Sequence, residues 1–148
     1  MNKTLSIAAC AALIPFVANA NPSMIGKWSC ENYSETNQIL ATVTYQENGK
    51  SKGNFDVTVT ESGTEVKMYG AYKATWSKEP TRLTETVNWI DIEELTINGE
   101  SFIGTPTETA LEDAMLAEGE TISEIIESSE VTFVLQDGEG NISSCNKF

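Results

Sequence analysis

The stretch Val66-Lys67-Met68-Tyr69-Gly70-Ala71-Tyr72-Lys73-Ala74-Thr75-Trp76 decides the fold. Val66, Met68, Gly70, Tyr72, Ala74 and Trp76 share one parity; Lys67, Tyr69, Ala71, Lys73 and Thr75 share the other. Period-2 alternation over that length marks one long β-strand with a single apolar face. The same pattern runs through the preceding segments. Phe55, Val57 and Val59 alternate with Asp56, Thr58 and Thr60, and Ala41, Val43 and Tyr45 alternate with Thr42 and Thr44. Asn48-Gly49-Lys50-Ser51-Lys52-Gly53 separates those two runs as a hairpin loop by composition, and Ser62-Gly63 and Lys78-Glu79-Pro80-Thr81 mark the next turns.

Beyond Pro80 the parity slips. Leu83, Val87 and Trp89 share a face, whereas Ile90 and Ile92 take the opposite one, which predicts a β-bulge or strand end near Trp89 to Asp91. Leu95 and Ile97 form a further short strand closed by Asn98-Gly99, and Phe102-Ile103 begin a return strand. Thr105-Pro106-Thr107-Glu108 is a capping box with proline at the first helical position. Ala110, Leu111, Ala114 and Met115 follow at helical spacing, and Gly119 stands where a left-handed C-terminal cap belongs. Thr121 to Glu127 fits neither period cleanly, but its β-branched residues favour a strand. Val131, Phe133 and Leu135 then alternate before the turn Asp137-Gly138-Glu139-Gly140 and a last strand, Asn141 to Lys147. An antiparallel meander of about eight strands leaves two exposed edges, which closure into a barrel removes. The expected fold is therefore all-β, a meander closed into a barrel with one short helix late in the chain.

The first twenty residues have another purpose. Lys3 precedes an apolar run from Leu5 to Val17, broken by Ser6 and Pro15, and Ala18-Asn19-Ala20 supplies a small-x-small cleavage pattern. That predicts a signal peptide over 1–20 and a mature domain over 21–148, periplasmic or secreted. The run falls short of the roughly 20 apolar residues of a membrane span. A lipoprotein signal ending at Cys10 is the rival, but only about five apolar residues precede that cysteine, against about 7–15 in a typical export signal. Cleavage leaves Cys30 and Cys145, which an oxidising compartment would join. A loop that long is worth about 4–5 kcal/mol on the chain-entropy model.

Charge is unevenly spread. The net charge is −13, yet residues 21–82 hold 7 basic and 7 acidic side chains. Residues 83–146 hold 15 Asp or Glu and no Lys or Arg. Such a surface repels phosphate backbones and anionic headgroups, so neither nucleic acid nor a membrane surface is an expected partner. It is either a solvated face that aids solubility or a docking face for a basic protein.

Catalytic chemistry is scarce. With 0 histidines the chain has no imidazole base, no Ser-His-Asp triad, no proximal haem ligand and no ordinary zinc set. Asp91, Glu93 and Glu94 read as surface charge. Asp137, Glu139 and Asn141 are spaced like the start of a calcium loop but lack its remainder, which leaves a hairpin turn. The expectation is a non-enzymatic protein without cofactor or metal.

Ile25-Gly26-Lys27-Trp28-Ser29-Cys30 opens the first strand with a Gly-x-Trp pattern. With Tyr72-Lys73-Ala74-Thr75-Trp76-Ser77, Arg82 to Val87 and the terminal cysteine pair, it resembles the bacterial lipocalin-like (calycin-type) secreted barrels. The resemblance implies a barrel closed at one end by Trp28 and able to hold a small apolar ligand. The helix departs from the pattern, because it precedes two strands where the lipocalin helix follows the last. Parity directs Tyr45, Phe55, Val57, Met68, Tyr72, Trp76, Trp89 and Phe133 to the interior, as packed core or as pocket lining. The expected function is that of an exported, monomeric binding protein for a small apolar ligand. The alternative is a protein-interaction module, an inhibitor or envelope-assembly partner that uses the acidic C-terminal half.

Overall fold

Alternating sequence becomes alternating structure along nearly the whole described chain. The computed structural model describes residues 22–148, and the leader expected over 1–20, with Cys10, lies outside the described residues. The strands are β1 (Gly26–Tyr33), β2 (Asn37–Tyr45), β3 (Lys50–Glu61), β4 (Thr64–Glu79), β5 (Arg82–Ile97), β6 (Glu100–Ser101), β7 (Glu120–Ser128), β8 (Thr132–Gln136) and β9 (Ile142–Lys147). The helix α1 (Pro106–Ala117) lies between β6 and β7.

Each long strand pairs antiparallel with its successor from β1 to β5, then β5 with β7, β7 with β8 and β8 with β9. Strand β9 returns to β1, so eight strands close into a ring, and the two-residue β6 hangs on β5 outside it. Closure gives each ring strand a neighbour on both sides, although β7 pairs with only Arg82 to Thr86 of β5. The seam between β1 and β9 carries the disulfide: Cys30 and Cys145 stand directly opposite, their Cα atoms 4.0 Å apart.

The β4–β5 hairpin shapes the rest. Both strands run 16 residues, and their pairing shifts register between Tyr69 and Gly70 and between Lys73 and Ala74. The second shift leaves Asn88 unpaired between Val87 and Trp89, so the bulge falls one residue before the predicted window. Inward parity therefore passes from Val87 to Ile90 and Ile92, while Trp89 turns outward and is 42% exposed. This corrects its expected interior position. Gly70 stands at the other irregularity, where a Cβ would lie 2.2 Å from the Asp91 carbonyl oxygen. Only glycine permits that close approach of the two strands.

Two apolar clusters result. One fills the barrel: Met24, Trp28, Val43, Tyr45, Leu83, Phe133, Leu135 and Cys145. The other, Phe55, Ile90, Ile92 and Leu95, is roofed by Phe102, Leu111 and Met115 as α1 packs on the half of β5 that β7 does not reach. There Glu112 Oε1 accepts the edge N–H of Ile92 at 2.9 Å. Ala110 and Ala114 stay exposed, so the buried stripe of α1 is narrower than its spacing predicts. The capping box is displaced too. Glu108 accepts from the Gly104 N–H, and Thr105 donates its hydroxyl to the Phe102 carbonyl at 2.6 Å. Phe102 and Ile103 extend no strand, since β6 ends at Ser101. The ambiguous 121–127 segment is strand, and a bulge at Ile126 explains its mixed period. Among the described residues no helix is long and apolar enough to cross a membrane.

Candidate functional site

The barrel interior is mostly filled. Trp28 and Phe133 are each 0% exposed and meet edge to face, ring centroids 4.9 Å apart. Tyr45 meets Trp76 the same way at 5.0 Å, and the Trp76 Nε1–H donates to the Gln46 and Lys50 carbonyls. What remains is a cleft of about 160 Å³, lined from every ring strand except β3. Val43, Leu135 and the Cys30–Cys145 bridge give it an apolar wall; Tyr45, Tyr72, Glu85, Ser123, Asp137 and Ser143 give it polar groups.

Glu85 is the unexpected member. It lies on β5 between Leu83 and Val87, on the inward parity, and its Oε1 accepts the Tyr45 hydroxyl at 2.9 Å. Burial raises its pKa above the ordinary carboxylate value, and the Tyr45 hydrogen bond opposes part of that rise. Burial and the neighbouring Glu85 charge also raise the pKa values of Tyr45 and Tyr72, so both stay protonated donors. A carboxylate on an apolar parity is the signal that sequence reasoning passed over, since a buried polar group informs more than an exposed apolar one.

A pH experiment follows from that geometry. The folded state holds the Glu85 proton more tightly than the unfolded chain, so stability falls as pH rises from the ordinary carboxylate value through the folded one. Glu85→Gln keeps an acceptor for Tyr45 and removes the charge. Its stability relative to the parent should grow from pH 4 towards neutrality, measured by urea unfolding across that range. Parallel pH profiles would show that Glu85 is solvated in the folded protein.

The other predicted interior residues divide. Tyr45 and Tyr72 line the cleft; Phe55 belongs to the second cluster, with Val57 and Met68 packed against it. Trp76 and Phe133 fill the barrel core, and Trp89 stands outside. No protein-family model and no curated protein matches this chain. Eight strands in a closed antiparallel ring are what the structure shares with the expected barrel.

The turn at Asp137 is a plain hairpin. Its carboxylate accepts the backbone N–H groups of Glu139 and Asn141 at 2.9 Å and the Asn141 side-chain amide at 2.8 Å. That side-chain hydrogen bond, with the backbone ones, holds its pKa below the ordinary value.

Proposed function

We propose that the protein is a non-enzymatic, exported binding barrel of the lipocalin-like kind, periplasmic or secreted. Its ligand is small, mostly apolar, and carries a hydrogen-bond-donating or cationic head. The observation that supports this reading is Glu85, held by Tyr45 beside Tyr72 in an interior cleft of about 160 Å³. Carrier pockets for drug-sized ligands run to roughly 300–1,000 Å³, whereas a dry cavity of about 150 Å³ accommodates benzene. The size therefore favours a one-ring ligand over a fatty acid, and the carboxylate favours an amine over a hydrocarbon.

Benzylamine and toluene are suitable probes. Benzylamine should raise the melting temperature, and the shift should grow with pH as Glu85 ionises. Glu85→Gln should abolish the pH dependence, and toluene should bind more weakly. No shift with either probe across pH 5–8 would refute the reading.

One observation favours a partner module instead. Ile122, Ile126, Val131 and Ile142 are 42–61% exposed on β7 to β9, within the acidic half of the chain. Apolar residues rimmed by like charge are the pattern of a surface for a basic partner. Such a partner should dissociate at high salt and on Ile122→Asp substitution.

A further inference from the structure

The registers of β1 to β5 place one row of side chains across the outer face of the barrel. Lys27 pairs with Thr44, Thr44 with Lys52, Lys52 with Lys73, and Lys73 with Trp89. The residues flanking each in its strand point inward: Trp28, Val43 and Tyr45, Ser51, Ala74 and Ile90 are all buried. The row therefore faces solvent. An exposed aromatic stands at each end, Phe148 with Lys27 Nζ 4.5 Å from its ring centre and Trp89 with Lys73 Nζ at 4.8 Å. Beside it runs a row of Ser29, Thr42, Asn54 and Ala71, paired in the same sequence of strands and neutral until it reaches Asp91, the β5 partner of Ala71.

Three features mark the row as more than a solvated face. Lys52 and Lys73 are directly opposed, and like charges at that position destabilise a sheet. The chain has 22 acidic residues, yet Lys27, Lys52 and Lys73 have no carboxylate partner among the described residues, whereas Lys67 pairs with Glu65 at 3.0 Å. The two rows also wall a groove of about 420 Å³. On the far side of the same lysine pair lies a hollow of about 200 Å³, lined also by Lys50 and Asn88. Opposed like charges with no carboxylate to neutralise them are a local conflict of the kind found at binding sites.

We infer that this row is a binding strip for a short, linear, carboxylate-bearing glycan laid across the strands. The lysines take the carboxylates, the Thr42–Asn54 row takes hydroxyls, and Trp89 offers a face to a sugar ring. Strands lie about 4.8 Å apart, so the strip from Lys27 to Trp89 spans about 19 Å. A polyuronate carries one carboxylate per sugar at a comparable repeat. The next row along the strands, Glu31, Asp56 and Glu94, is acidic and lies about 13 Å from the lysines. That exceeds the screening length of about 8 Å at physiological salt, so a narrow chain escapes it. A membrane plane or a duplex would not, because either would lie across the acidic row as well.

The test is calorimetric titration of the disulfide-bonded protein with hexagalacturonate at low salt, with cellohexaose as the uncharged chain of equal length. Hexagalacturonate should bind, more weakly as salt rises, and cellohexaose should not. The double variant Lys52→Ala, Lys73→Ala should raise Kd about tenfold or more, and Lys67→Ala should leave it unchanged. Three results would overturn the proposal: no binding by the parent, equal binding by the double variant, or tighter binding of anionic phospholipid vesicles or single-stranded oligonucleotides than of the glycan.

Discussion

Trp28→Ala is expected to cost the folded protein about 3–5 kcal/mol, the range for emptying a fully buried tryptophan position. Trp28 is 0% exposed and packs edge to face on Phe133, itself 0% exposed. Its indole N–H donates to the Met24 carbonyl at 2.7 Å. Gly26, at a φ of 127°, lets the chain turn so that Met24 folds back beneath the ring, a conformation that glycine alone adopts readily. Tryptophan, methionine and phenylalanine thus pack together in the barrel core. Trp28→Phe separates the two contributions: it keeps an aromatic ring and orphans the buried carbonyl, at about 1–3 kcal/mol. Urea unfolding followed by circular dichroism would measure both, with the slope on denaturant unchanged. A loss below about 1.5 kcal/mol for the alanine variant would show that the core collapses around the gap.

Much of this fold was legible because a β-strand writes its faces into sequence with period 2. Val66 to Trp76 announced β4, and the clash of parity between Val87 and Ile90 announced a bulge. The exact bulged residue was not legible. Whether Asn88 or a residue between Trp89 and Asp91 loops out depends on which partner on β4 each neighbour finds, and that single step moved Trp89 from core to surface. Glu85 was legible in principle, as a charge between two apolar residues of equal parity. The lysine row was not. Lys27, Lys52 and Lys73 are far apart in the chain, and only the registers of three strand pairings bring them into line. Phe55, Val57 and Met68 carried the parity of the core, but parity says nothing about which length of a long strand the helix will cover.

The charge asymmetry gains a spatial meaning from the ring. The neutral half of the sequence supplies β1 to β4, and the acidic half supplies most of β5, the helix and β7 to β9. The barrel therefore balances lysines and carboxylates on one sector and carries carboxylates almost alone on the opposite one. A narrow anionic ligand and a basic partner could occupy the two sectors at once, independently of the interior cleft. Binding at each should respond to different substitutions: Lys52 and Lys73 for the first, Ile122 for the second, Glu85 for the cleft.

Removing the disulfide with Cys30→Ala and Cys145→Ala is expected to cost about 4–5 kcal/mol, from the chain-entropy relation for a loop of this length. The bridge joins residues 115 positions apart, so reduced unfolded chains explore many conformations that the oxidised chain cannot. In the folded state it sits at the middle of five registered pairs, from Trp28 with Lys147 to Asn32 with Ser143. Those pairs hold the seam without it, so the ring should still close in the variant. The loss should therefore appear as a lower denaturation midpoint and a steeper slope, because the uncrosslinked unfolded state exposes more surface. Typical domains are stable by only about 5–15 kcal/mol, so the reduced protein would sit near the margin at physiological temperature. Amide hydrogen exchange locates the effect: if the bridge acts through the unfolded state, protection should fall uniformly across β1 to β9. Selective loss at the β1–β9 seam would show instead that the bridge holds the ring shut.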